Sequence, residues 1–189
     1  MPSFSRNSRR ANCTRNSLAL GAGIALTLLS GGALADGAHR FVFTAYSDAA
    51  GGADVVAGRY QAALEELEGH RDTMDLDPSA ANTNRCVAYS MTLHWQEARA
   101  ACDAAVHAAT EQRQSAQASW LPSSNIESLA VAYANRAVVN WLSHDDAAAR
   151  EDLAKARELS PRAAFVARNL AALKVHREMA QAGAAAPKS

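Results

Sequence analysis

Three asparagines recur in matching company along this chain. Asn84-Arg85-Cys86-Val87, Asn135-Arg136-Ala137-Val138 and Asn169-Leu170-Ala171-Ala172 each set an amide before small or apolar residues, and the last two copies stand 34 residues apart. A carboxamide both donates and accepts hydrogen bonds. Recurrence at such a period marks stacked helical hairpins, and stacked hairpins present an extended surface that holds another chain. Binding is therefore expected ahead of catalysis.

The other reactive residue types do not assemble into a site. His94, His107 and His144 fall at turns or helix faces, and His39, His70 and His176 are scattered, with no H-x-x-x-H spacing and no cysteine at zinc-ligand distance in sequence. Asp145-Asp146 reads as a helix start rather than as paired catalytic acids. No nucleophile elbow or phosphate loop is present, and Gly21-Ala22-Gly23 lies in a leader. No enzyme activity, metal or cofactor is expected.

The leader is residues 1–35. Arg6, Arg9, Arg10 and Arg15 make a basic start without acids, Leu18 to Leu29 is an apolar run too short for an ordinary membrane span, and Ala33-Leu34-Ala35 is an A-x-A cleavage site. This predicts export to a bacterial periplasm with cleavage after Ala35. The whole chain balances 19 basic against 19 acidic residues, so loss of four arginines leaves 15 against 19, a net of −4. Nothing basic then remains to clamp nucleic acid or an anionic membrane. Cleavage also removes Cys13 and leaves Cys86 and Cys102 in an oxidising compartment, where an even count suggests a disulfide. Two buried thiols are the alternative. A bridge would close a loop of about 15 residues, worth on the order of 3 kcal/mol in the chain-entropy model.

The elements that must carry these residues are helical. Residues 36–53 are the exception: Arg40 to Tyr46 is aromatic and β-branched, Gly51-Gly52 follows, and an extended arm is expected. From Asp54 apolar residues keep a three-to-four spacing (Val55, Val56, Tyr60, Ala63, Leu64, Leu67). Asp77-Pro78 starts a helix that should run to about Leu93; a turn at His94-Trp95 leads into another over about 96–110. Residues 111–122 read as a polar connector, Ser124-Asn125-Ile126-Glu127 as a capping box, Asp145 as a cap, and Ser160-Pro161 as the start of a last helix ending near Ala182. A disordered tail is expected over 182–189.

The repeat at 135–161 resembles the tetratricopeptide repeat: Ala137 on its first helix, then Ala149, Leu153 and Ala156 on its second, with Pro161 twelve residues after Ala149. Asn84 to Val106 keeps the same register, since Asn84 to Ala98 and Asn135 to Ala149 are both 14 residues. The link between the two copies is 51 residues, 17 beyond one period, so either helices are extended there or the connector bulges. The resemblance covers about 54–181. It implies an all-α fold, a short α-solenoid of antiparallel helical hairpins with about two full repeats plus flanking helices. It also implies a concave groove in which Asn84, Asn135 and Asn169 hold a bound peptide's backbone, with Val87, Met91, Val138, Trp141 and Leu142 as apolar neighbours and Arg168 as a carboxylate anchor. The implied function is that of an exported adaptor for a protein or peptide partner. The alternative is a structural homo-oligomer built through the solenoid ends, with the aromatic arm crossing to a neighbour.

Overall fold

Two aspartates start helices as their positions demand. Asp77 Oδ1 accepts from the Ala80 N–H at 3.0 Å ahead of Pro78, and Asp145 Oδ1 accepts from the Ala148 N–H at 3.0 Å. The computed structural model in which these caps occur describes residues 24–28, 40–69, 77–118 and 125–185. Its elements in chain order are β1 (Ile24–Leu28), β2 (Val42–Tyr46), α1 (Gly52–Val56), α2 (Tyr60–Gly69), α3 (Pro78–Met91), α4 (Trp95–Ala118), α5 (Asn125–Leu142), α6 (Asp146–Leu159) and α7 (Ala164–Ala185). The described residues are thus mostly helical, with one antiparallel two-stranded ribbon, β1–β2.

Several boundaries differ from expectation. Residues 111–118 are helix rather than connector. Polarity suggested a loop, but Glu111-Gln112-Arg113-Gln114 are good helix formers, and neither Gly nor Pro interrupts them before Pro122. The long link between the two copies is therefore taken up partly by the 24-residue α4. Pro161 lies in a turn and α7 begins only at Ala164, because Ser160 closes α6 with its N–H on the Ala156 carbonyl at 2.9 Å. That last helix runs to Ala185, past the expected start of the tail, and residues 186–189 lie outside the described residues. Within the expected leader, Ile24–Leu28 forms β1; Cys13 and the Ala33–Ala35 cleavage site lie outside the described residues. Among the described residues no helix is long and apolar enough to cross a membrane.

The α3–α4 and α5–α6 hairpins close identically. Leu93 and His144, each nine residues after its asparagine, adopt φ of 64° and 63°. The next N–H, of His94 or Asp145, reaches back to the carbonyl of Tyr89 or Asn140 at 2.9 or 2.8 Å. This is a left-handed helix ending that satisfies carbonyls the last turn would otherwise leave open. The small residues sit where the helices cross: Cys86, Ala98, Ala137 and Ala149 are all buried. A larger side chain at any of them would push the pair apart.

Helices packed in succession form two rows. Among the described elements α3, α5 and α7 touch β2, and α3–α5 and α5–α7 touch each other. Each neighbouring pair from α2 to α7 is also in contact, so α4 and α6 back the inner row. The largest core cluster includes Phe43, Val87, Val138 and Leu153; a second joins Val42 and Tyr46 to Val131 and Val166.

Candidate functional site: an asparagine ladder around an extended strand

One asparagine of each inner helix reaches β2, and these three are buried: Asn84 on α3, Asn135 on α5 and Asn169 on α7. Each grips one residue of β2 at both backbone groups. Asn169 accepts from the Val42 N–H at 2.8 Å and donates to the Val42 carbonyl at 3.0 Å. Asn135 does the same to Thr44 at 2.9 and 2.7 Å. Asn84 holds Tyr46 at 2.8 and 2.9 Å, and its amide also donates to the Ala50 carbonyl at 3.0 Å.

The period of the ladder follows from strand geometry. Backbone groups of alternate residues point the same way, and two residues advance about 6.6–6.8 Å, close to the spacing of packed helices at about 8–10 Å. One asparagine per inner helix therefore meets every second residue. A side-chain amide matches a peptide group because it offers one acceptor and two donors. Each such bond, buried, contributes about 0.5–1.5 kcal/mol, and removing one side strands the other at a cost of about 1–3 kcal/mol.

Apolar walls enclose the two faces of the strand. Phe43 and Ala45 pack into the cluster that holds Val87 and Val138, while Val42 and Tyr46 face the cluster that holds Val131 and Val166. Phe41 closes one end, its ring 4.5 Å from Trp141 and 5.6 Å from His176 between centroids, stacked parallel on the latter. Gly51 and Gly52 close the other. Gly51 has φ of 67°, and a Cβ on Gly52 would come within 1.8 Å of the Tyr46 carbonyl oxygen and 2.9 Å of the Asn84 amide nitrogen. Only glycine lets the chain fold this tightly under Asn84. Burial pushes the Tyr46 hydroxyl up to about 12, with Asp77, Glu127 and Asp48 adding to the rise.

The residues expected to line a groove are thus brought together around a polypeptide, and the polypeptide is the chain's own arm. Val87 and Val138 are fully buried, and Met91, Trp141 and Leu142 pack half-buried against the same cluster. Arg168 is exposed and takes no part in the contacts that hold the arm. Within the chain Phe41, Phe43 and Tyr46 are all buried. Trp141, Leu142 and His176 also border an open cleft of about 610 Å³, rimmed by His144, Arg150 and Arg177.

Two features were missed from sequence. The arginine beside each of the first two asparagines acts as a tie. Arg136 donates to Asp152 through Nε and Nη2 at 2.8 and 2.7 Å and to Asp103 through Nη1 at 2.9 Å, joining α5 to α6 and α4. Asn140 donates to the same Asp152 at 3.1 Å, and the hydrogen bonds and charge of Asp152, with those of Asp103, hold the Arg136 guanidinium more firmly protonated than usual. Arg85 instead donates to Asn82 at 2.6 Å and to the Leu67 carbonyl at 3.1 Å, tying α3 to α2. The recurrence of Asn-Arg in two copies was the available signal. The second feature is the aromatic clamp on Phe41, which depends on the fold of the whole chain and left no local mark.

Cys86 and Cys102 are joined across the α3–α4 hairpin, with Cα atoms 4.9 Å apart. Among the described residues no group of His, Cys, Asp or Glu is placed to hold a metal ion. No family model, no curated protein and no solved structure matches the chain.

Proposed function

We propose that this is an exported, tetratricopeptide-like binding module that holds extended polypeptide in the groove of its inner helices. One observation carries the reading: three buried asparagines on successive inner helices each grip both backbone groups of every second residue of a strand. Contacts to backbone are indifferent to sequence, and the apolar walls supply what selectivity there is. The arm is the resident occupant, so a partner engages the groove by completing or replacing what the arm supplies. A solenoid of hairpins explains the repeated closure at Leu93 and His144 and the small residues at the helix crossings. The leader read at residues 1–35 supports a periplasmic site of action, and the net charge of −4 after its removal supports a protein partner over nucleic acid.

The experiment is affinity capture from envelope extracts with the chain and with Asn135→Ala/Asn169→Ala. The double variant should keep its helicity, lose amide protection at Val42 and Thr44, and retain less partner. Equal capture by both proteins would count against the groove.

A further inference from the structure

The asparagines account for only one edge of β2. Val42, Thr44 and Tyr46 turn their N–H and C=O groups toward the helices. By the alternation of a strand, Phe43 and Ala45 turn theirs the opposite way. That second edge is where β1 sits, antiparallel, with Thr27 opposite Phe43 and Ala25 opposite Ala45. These two pairs exchange the hydrogen bonds, and Leu28–Val42, Leu26–Thr44 and Ile24–Tyr46 are the intervening pairs. The β1 segment reads Ile-Ala-Leu-Thr-Leu, uncharged and nearly all apolar, and it belongs to the stretch that export would remove.

We propose that, once residues 1–35 are cleaved, the outward edge of β2 accepts an extended, uncharged apolar strand of another protein, which adds antiparallel in the place of Ile24–Leu28. The inference rests on the export reading above. Cleavage takes the β1 partner groups away from Phe43 and Ala45, whose side chains stay locked in the core cluster. A backbone edge so placed costs free energy until it is paired again. The ladder prevents the usual escape, since β2 cannot twist away while three asparagines hold its other edge. A second copy of the chain fits less well. β1 lies beside α1 as well as β2, and a second β2 would arrive flanked by its own α3, α5 and α7. A lone strand has no such escort. Its recognition would be antiparallel backbone pairing in a fixed register, with apolar side chains preferred.

The test uses the chain as recovered after export, its N-terminus read by mass spectrometry. The probe is a synthetic peptide carrying Ile24–Leu28 between lysine tails. Binding is expected to raise the hydrogen-exchange protection of the Phe43 and Ala45 amides and to leave those of Val42, Thr44 and Tyr46 unchanged. N-methylation of the probe at the Thr27 position should weaken binding at least tenfold, whereas N-methylation at the Leu26 position should be tolerated. The proposal is overturned if residues 24–28 remain on the exported chain, if the two methylated probes bind alike, or if Phe43 and Ala45 gain protection with protein concentration alone, which would mean a second copy. Loss of protection at Val42, Thr44 and Tyr46 in the exported chain would instead defeat the groove reading itself.

Discussion

The two hairpins share a backbone and differ in their fastening. At a fixed offset, Asn84 corresponds to Asn135, Leu93 to His144 and Ala98 to Ala149. Between them the lock has changed. Cys86–Cys102 ties α3 to α4 covalently, and the matching positions in the other hairpin are Ala137 and Leu153. There Arg136 and Asp152 tie α5 to α6 by charge, where the first hairpin has Arg85 and Ala101. Because both hairpins present an asparagine to the same strand, the lock is separable from the grip. One lock answers to redox conditions and the other does not.

The largest effect should come from breaking the charged lock. Asp152 is buried, and Asp152→Ala leaves the half-buried Arg136 with Asp103 as its one remaining ion-pair partner among the described residues, beside the Tyr133 ring. Removing one partner of a buried pair costs about 3–5 kcal/mol. Chemical denaturation should show a loss in the lower part of that range. A loss of less than about 1 kcal/mol would mean that Asp103 alone suffices and that the two locks are unequal.

Breaking the covalent lock comes next. Reduction, or Cys86→Ala with Cys102→Ala, should cost about 3 kcal/mol for a loop of this size. It should leave the Arg136–Asp152 pair and the protection of Thr44 intact. Intact mass should differ by two hydrogen atoms between reduced and untreated chain. If reduction released Val42 and Thr44 together with Tyr46, the hairpins would not be independent holders of the arm.

Alkaline pH separates the hairpins by another route. Tyr46 lies at Asn84, on the first hairpin, and its hydroxyl is raised from 10.0 to about 12. A raised folded value means that the stabilisation is complete below pH 10 and is lost as pH climbs through about 12. The amount is on the order of 2–3 kcal/mol. Stability measured from pH 9 to 12 should fall faster in the native chain than in Tyr46→Phe. Parallel curves would place the alkaline loss elsewhere.

What sequence could reveal divides along the same line. The hairpin closures, the caps at Asp77 and Asp145 and the small crossing residues are local, so a fixed offset between an asparagine and an alanine exposes them. The length of α4 was obscured because polarity at 111–118 marks exposure as readily as a loop. The occupant of the groove was legible only as separate parts, an aromatic arm and an amide set. Asn169 meets Val42 across 127 residues of sequence, and no periodicity encodes which segment fills a groove.

The smallest effect tests whether the hairpins are equivalent at all. Leu93 and His144 both hold a left-handed conformation that costs a non-glycine residue roughly 1–2 kcal/mol. Leu93 is 67% exposed and His144 is also exposed, so neither contributes much packing to offset that cost. Leu93→Gly and His144→Gly should therefore each stabilise the chain, by about 0.5–1 kcal/mol after the added freedom of glycine in the unfolded state. Because the hydrogen bonds closing the two turns agree within 0.3 Å, the gains should be equal and additive, read as two equal steps in melting temperature. A gain at Leu93 with none at His144 would show that the His144 ring, on the rim of the cleft beside Trp141, is held there by contacts that its exposure conceals.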